Sequence, residues 1–342
     1  MTVGFVTENP GVLTTIQDEG RYGYEQFGMS PAGPMDGTAF RTANLLVGNP
    51  EGESALEATV LGPTLRFDQD NVVAVTGADM APILNGRPCP MYQAVAVKAG
   101  DRLALGAART GCRAYIAFAG GLDVPQVMGS RATALQNKVG GFQGRKLARG
   151  DSLGFRAPNP ALPLPRTAPV PAPAGREVVI RVILGPQDDA FTEEGVRTFL
   201  SQPYVVSKDF DRMGCRLEGP VIRHKTDGNI ISDGMVTGAI QVPTSGQPII
   251  MLAERQTVGG YTKIATVISA DLPLVGQRKT GDVICFQAVS VEQAHRAWRD
   301  ANRELEELKV RLAQPQPARS AGTSYRVTVN GRSYLVQVVK HT

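Results

Sequence analysis

Residues 209–220 read Asp209-Phe210-Asp211-Arg212-Met213-Gly214-Cys215-Arg216-Leu217-Glu218-Gly219-Pro220. Gly214 allows a tight backbone turn, so the stretch reads as a β-corner between short extended pieces. The same grammar follows downstream in Gly238-Ala239-Ile240-Gln241-Val242-Pro243, in Gly246-Gln247-Pro248-Ile249-Ile250 and in Gln256-Thr257-Val258-Gly259-Gly260-Tyr261. Upstream, residues 71–76, 94–97, 114–118 and 178–184 are β-branched and apolar, bounded by Gly, Pro and Asp. Short strands with many turns describe a mainly β chain of the barrel or sandwich kind.

Residues 157–175 carry proline at a density that favours extended, ladder-free backbone, and they predict a semi-rigid linker. The two sides of this linker echo each other. Asp123-Val124-Pro125 and Gly150-Asp151-Ser152-Leu153-Gly154-Phe155 match Asp271-Leu272-Pro273 and Gly281-Asp282-Val283-Ile284-Cys285-Phe286 in order and chemistry. Leu61-Gly62-Pro63-Thr64-Leu65-Arg66 likewise echoes Glu218-Gly219-Pro220-Val221-Ile222-Arg223. A duplicated unit is expected, with a first domain over 1–156, the linker over 157–175 and a second domain over 176–289.

Three helices interrupt the strands. Asp36 can cap one over 37–47, stopped by Gly48-Asn49-Pro50. A second is expected over 189–200. The third runs over 290–314, where Ala294, Ala297, Ala301, Leu305, Leu308 and Leu312 form a stripe of helical period. Beyond it, 315–342 reads as a connector and a hairpin, with Asn330-Gly331 at the turn.

Composition excludes several classes. Of 342 residues, 36 are Lys or Arg and 32 are Asp or Glu; they are scattered, so nucleic acid is not an expected partner. No apolar run approaches the roughly 20 residues of a membrane helix, and no leader pattern opens the chain. Cys89, Cys112, Cys215 and Cys285 stand singly, which predicts buried thiols in a reducing cytoplasm and no metal site. With only His224, His295 and His341 present, a histidine-based triad would rest on His224 alone. No residue is singled out as catalytic. The chain has no phosphate-binding Gly-x-x-x-x-Gly-Lys loop.

The candidate binding residues are Arg212, Gln241, Gln256, Tyr261, Arg21 and Asp36. Arg212 can fork onto a carboxylate or phosphate, or pair with Asp211 to hold the corner. Gln241 and Gln256 lie in apolar surroundings, and a glutamine amide can both donate to and accept from a ureido or lactam group, or satisfy nearby backbone. Gly259-Gly260-Tyr261 would bring backbone close to a ligand with a phenol at the rim, or form a bulge. Asp36 is a helix cap or a base, and Arg21 an anion ligand or a surface residue.

Together with Pro10-Gly11-Val12-Leu13-Thr14-Thr15-Ile16-Gln17-Asp18-Glu19-Gly20-Arg21 and Gly33-Pro34-Met35-Asp36, these motifs resemble the allophanate hydrolase subunit 2 family. That family includes the C subunits of 5-oxoprolinase (the KipA proteins) and half of the urea carboxylase carboxyltransferase domain. The resemblance runs over about 3–286. It implies two related cyclophilin-like β-barrels. It implies a role in an ATP-dependent 5-oxoprolinase, the ATP being used by an assembled complex. The implied partners are a companion resembling allophanate hydrolase subunit 1 (KipI) and a third, lactam-utilisation subunit. Two alternatives travel with it. One is a carboxyltransferase acting on urea or a related amide, with biotin carried by another chain, because no Met-Lys-Met site occurs here. The other is a regulatory protein that binds a kinase inhibitor. The hairpin at 325–339 resembles the start of a biotinyl carrier domain.

Overall fold

The computed structural model describes residues 3–314, 323–329 and 332–338. The first half builds two sheets. One has six strands, ordered Ser152–Leu153, Phe5–Asn9, Thr64–Phe67, Arg102–Ala104, Ile83–Leu84 and Arg87–Pro88. The other has five, ordered Leu13–Gln17, Ala55–Thr59, Thr110–Phe118, Asn71–Asp79 and Ala94–Val97. Phe5, Leu65, Phe67 and Leu103 from the first sheet share a core with Ile16, Val73, Val75, Ile116 and Phe118 from the second. Phe5 and Phe118 stack across it with ring centroids 5.1 Å apart.

Strand alternation then serves a second layer. Val72, Ala74, Tyr115 and Ala117 point away from that core and pack on helix α1 (Gly37–Leu46) through Phe40, Ala43 and Leu46. Residues 114–118 of the strand Thr110–Phe118 are therefore covered on both faces, which explains their unbroken apolar run.

The second half closes into a seven-stranded barrel. Its order is Glu177–Leu184, Lys263–Val267, Ala239–Gln241, Ile249–Met251, Gly214–Glu218, Tyr204–Phe210 and Val283–Ala288. The last strand returns to the first in parallel, Glu177 facing Val283. Ile180, Val206, Leu217, Ile240, Ile250, Ile264 and Ile284 fill the inside. So the chain is mainly β as expected. The two halves close differently: the second by a continuous hydrogen-bonded ladder, the first by side chains packed between two sheets.

The expected Gly-Asp turns share their local geometry. Gly150 and Gly281 have φ of 89° and 85°, the left-handed region. Asp151 accepts from the Ala148 amide at 2.7 Å, and Asp282 from the Lys279 amide at 3.1 Å. The third echo differs. Thr64–Phe67 is a strand, whereas residues 220–223 follow the end of Gly214–Glu218 without joining a sheet.

The second helix starts later than expected. A 3-10 turn covers Asp188–Ala190, and α2 spans Glu193–Ser201, because the Thr192 hydroxyl caps the Gly195 amide at 3.0 Å. After the short α3 (Leu272–Gly276), α4 spans Val291–Ala313 and opens with a capping box between Ser290 and Gln293. Its Leu305, Leu308 and Leu312 join the cluster around α1, so the last helix of the second half docks on the first half. Arg166, within the proline-rich segment, pins this junction. Its guanidinium donates to Leu45 O at 2.8 Å, Leu46 O at 2.7 Å and Leu312 O at 2.8 Å, closing the C-termini of α1 and α4 together.

Thr323–Val329 and Arg332–Val338 pair antiparallel, as the hairpin expectation requires. The Asn330-Gly331 turn and the connector 315–322 lie outside the described residues. Among the described residues no helix is long and apolar enough to cross a membrane, and no His, Cys, Asp or Glu cluster fits a metal.

Candidate functional site

The six candidate residues fall into three places. Arg212 leaves the corner between Tyr204–Phe210 and Gly214–Glu218 and enters the boundary between the halves, 3 % exposed. Its corner partner is not Asp211, whose carboxylate accepts from the Met213 and Gly214 amides at 2.7 and 3.1 Å. Arg212 Nε donates to Glu254 Oε1 at 2.6 Å, Nη2 to Gly33 O at 2.7 Å and Nη1 to Glu57. Glu57, from the five-stranded sheet, also accepts from the Tyr115 hydroxyl at 2.7 Å and the Met35 amide at 2.9 Å. Burial pulls the Arg212 guanidinium down, but Glu57 and Glu254 more than offset it, so its pKa stays above the ordinary arginine value. Burial, reinforced by Glu57, pushes the Tyr115 phenol well up.

Asp36 belongs to the same junction. It caps α1 through the Ala39 amide at 2.9 Å and takes the Gln277 side chain at 2.8 Å, while its own amide donates to the Tyr115 hydroxyl. Burial raises its carboxyl above the usual range despite these bonds. A cleft of about 310 Å³ opens beside this junction, lined in part by Tyr22, Arg41, Leu272, Trp298 and Asn302.

Arg21 sits apart from both, with 1 % exposure. It holds the loop around residues 127–132 through Val127 O at 2.9 Å and Ala132 O at 3.0 Å. The neighbouring Asp18 holds the same loop from its other side, accepting from Ser130 Oγ and the Arg131 amide.

Gln241, Gln256 and Tyr261 belong to the barrel's end, where a two-stranded ribbon, Asn229–Gly234 and Val258–Tyr261, lies against it. Gln256 Nε2 donates to Gln241 Oε1 at 3.3 Å. Gln241 is 2 % exposed, and its Nε2 has no hydrogen-bond partner among the described residues. A buried amide without a partner costs on the order of 1–3 kcal/mol, so this donor is conspicuous. The backbone of Gly259 approaches so closely that a Cβ there would lie 2.5 Å from Gln241 Nε2. Tyr261 ends the ribbon's second strand, facing Asn229 and 41 % exposed.

Lys263 completes this end. It is the register partner of Gln241 on the adjacent strand and is 2 % exposed. Its Nζ donates to Asp233 Oδ2 of the ribbon at 2.7 Å. That bond first, with the Gly234 amide, holds the Asp233 carboxyl below the usual range. Arg255 also lies buried nearby, with Nε on Met235 O at 3.0 Å and Nη1 unpartnered among the described residues. Glu57, Glu254, Lys263, Asp233 and Arg255 are not among the residues that the sequence singles out. The available signal was a lone charge in an otherwise uncharged strand, Glu57 in the middle of Ala55–Thr59 and Lys263 at the start of Lys263–Val267.

The thiols are held toward the protonated form, and Cys285, unlike the other three, is half-buried rather than buried. Burial pushes the Cys215 thiol up to about 12 and raises Cys89, Cys112 and Cys285 as well. His224 lies tilted against Phe191, ring centroids 4.6 Å apart, and contacts Val242 O and Thr262 Oγ1 through Nε2.

The chain thus joins a closed β-barrel to a sheet pair through a buried charge cluster and presents paired amides at one barrel end. It belongs to the carboxyltransferase domain family, subdomains A and B, whose model matches residues 27–288. It is 38 % identical over 306 residues to the 5-oxoprolinase C subunit of Escherichia coli, covering 88 % of this chain and 96 % of that one. The 5-oxoprolinase C subunit of Haemophilus influenzae is 36 % identical over 295 residues, covering 86 % and 94 %. The solved urea amidolyase of K. lactis superposes with a TM-score of 0.85 at 33 % identity, over 90 % of this chain and 20 % of that larger one.

Proposed function

We propose that this chain is the C subunit of an ATP-dependent 5-oxoprolinase and that the barrel end beneath the ribbon reads the lactam amide. The observation that carries the reading is the buried Gln241 amide, with Gln256 on its oxygen and no acceptor for its Nε2 among the described residues. A lactam carbonyl would supply that acceptor, and the freed face of Gln256 could meet the ring N–H. Tyr261 stands at the rim. Arg212, Asp36 and Arg21 act in this reading as framework, since their polar atoms hold the junction and the 127–132 loop.

The chemistry asks for partners. A lactam carbon is a poor electrophile. Phosphorylating its oxygen from ATP releases ADP and makes the carbon reactive; water adds, the ring C–N bond breaks with the nitrogen taking a proton, and a second water splits the resulting acyl phosphate into glutamate and phosphate. Stabilising charge at that oxygen and holding the amide in line is what paired amides contribute. The proposed complex contains a companion resembling allophanate hydrolase subunit 1 and a third, lactam-utilisation subunit, and the ATP is held outside this chain.

The test is glutamate release from 5-oxoproline and ATP by the co-purified subunits. We expect turnover by the assembly, none by this chain alone, and at least a ~10-fold loss in the assembly carrying Gln241→Leu, about 1.4 kcal/mol of transition-state stabilisation. Full turnover by the isolated chain would overturn the subunit role.

The second reading is carboxyl transfer to urea or a related amide from biotin on another chain. The likeness to the K. lactis urea amidolyase favours it. Urea-dependent consumption of carboxybiotin, with no glutamate formed from 5-oxoproline, would select it.

A further inference from the structure

The ribbon and the barrel meet through two register pairs. On the ribbon, Asp233 faces Gly259. On the barrel, Gln241 faces Lys263. Asp233 lies on Lys263, with Oδ2 2.7 Å from Nζ, and Gly259 lies on Gln241, its backbone pressed against the amide nitrogen. The barrel ladder is bulged just before the Gln241–Lys263 pair, and it is their contact with the facing Asp233 and Gly259 of the ribbon that puts both side chains on one side of the barrel. Lys263 and Gln241 thus offer an ammonium and an amide donor side by side.

The charge balance of this pair is unusual. Lys263 is 2 % exposed, yet its counter-charge, Asp233, has a side chain 55 % exposed and is carried by a two-stranded sheet outside the barrel ladder. Withdrawing a buried ammonium's partner leaves an uncompensated charge, which is strongly unfavourable. If the ribbon lifts, Lys263 needs another anion in the same place. Gln241 Nε2, at the same moment, gains room for the acceptor it lacks.

We infer that Lys263 and Gln241 form a two-point reader for a small acid that also carries an amide carbonyl, with the Asp233 carboxylate occupying the acid's position when the ribbon is down. The inference rests on the lactam reading above and sharpens it. The substrate class becomes a lactam bearing a carboxylate, bound by Lys263 at the acid and by Gln241 at the carbonyl. Urea, the amide of the second reading, has no carboxylate and would leave Lys263 to Asp233. Lys263 acts here as a specificity residue, and Asp233 as its displaceable cap.

The experiment is calorimetric binding of 5-oxoproline and of 2-pyrrolidinone, the same lactam without its acid, to the assembled complex without ATP. We expect wild type to bind 5-oxoproline at least ~10-fold more tightly, about 1.4 kcal/mol. Lys263→Met should bring the two dissociation constants together by weakening only 5-oxoproline. Asp233→Asn, an exposed change that removes the competing charge, should tighten 5-oxoproline by roughly threefold and change 2-pyrrolidinone by less. Equal binding of the two compounds by wild type, or undiminished preference in Lys263→Met, overturns the two-point reader while the lactam reading stands. If Lys263→Met does not fold, Asp233→Asn decides, and unchanged or weaker 5-oxoproline binding by it overturns the inference. Binding of neither compound by any form overturns the lactam reading and this inference with it.

Discussion

Arg212 of the barrel is buried against Glu57 of the five-stranded sheet, 155 residues earlier in the chain, and its second nitrogen arm holds Glu254. One guanidinium therefore answers two carboxylates that are 1 % and 2 % exposed. Two acids at that depth require a cation between them, and the planar three-armed guanidinium is the side chain that can serve both and still reach Gly33 O. The junction of the halves is built around this group.

Removing it should be costly. Arg212→Met is expected to destabilise the chain by about 3–5 kcal/mol, because Glu254 keeps only the Leu135 amide and Glu57 keeps only neutral donors and the more distant Arg113, at 4.0 Å. Urea unfolding monitored by fluorescence would measure it. Adding Glu57→Gln and Glu254→Gln to the same chain should restore part of the loss. A change below about 1 kcal/mol in the single variant would show that the cluster contributes little to holding the halves.

Gln241→Leu should separate stability from function. The substitution keeps rough size and removes a buried donor that has no partner among the described residues, so the thermal midpoint is expected to hold or rise, in contrast to its activity loss. A fall of more than about 1 kcal/mol, read by calorimetry, would mean the amide is scaffold.

His224 sets a pH dependence. Burial lowers its pKa below the ordinary histidine range, with Val242 O and Asp227 opposing. The unfolded chain takes the proton first, near pH 6.5, so the contribution is intact above that value and is lost as pH falls through the lower folded pKa. Comparing thermal midpoints of wild type and His224→Gln, the stability of wild type relative to the variant should decline from pH 7.5 to pH 5.5. A constant difference across that range would contradict the assignment.

Arg166→Ala should loosen two helices at once. Three carbonyls lose a charged donor, and bonds of that kind are each worth on the order of 1.5–3 kcal/mol at most. Because the three bonds are only part-buried, water replaces much of the lost donor, and we expect a total loss of about 2 kcal/mol with faster amide exchange in the last turns of both α1 and α4. Faster exchange in only one helix would show that the staple is not shared.

Much of the architecture is legible in the sequence for local reasons. The β-branched apolar runs at 71–76 and 178–184, the Gly-Asp turns and the helix start near Ser290 are set over a few residues, and they reappear as strands, left-handed glycines and the start of α4. The 3-10 turn before α2 is not legible, because Asp189 and Thr192 are both competent caps and packing makes the choice between them. Of the candidate residues, the two glutamines stand out because an amide in an apolar run needs a partner, and the structure brings those two together. Arg212 stands out for the same kind of reason, but its partners cannot be read locally. Glu57 and Glu254 lie 155 and 42 positions away, and no local spacing rule reaches that far.

By itself, then, the chain determines its strands, turns and helix starts, since these follow from backbone freedom and side-chain period within a few residues. It also determines that some buried amides and charges must find partners. Only the tertiary structure decides which partners. Barrel closure sets Lys263 beside Gln241, the ribbon lays Asp233 on that lysine, and the meeting of the halves gives Glu57 to Arg212. Each pairing depends on strand register and on the contact of surfaces distant in sequence, and a buried charge accepts whichever counter-charge the fold delivers within hydrogen-bond reach.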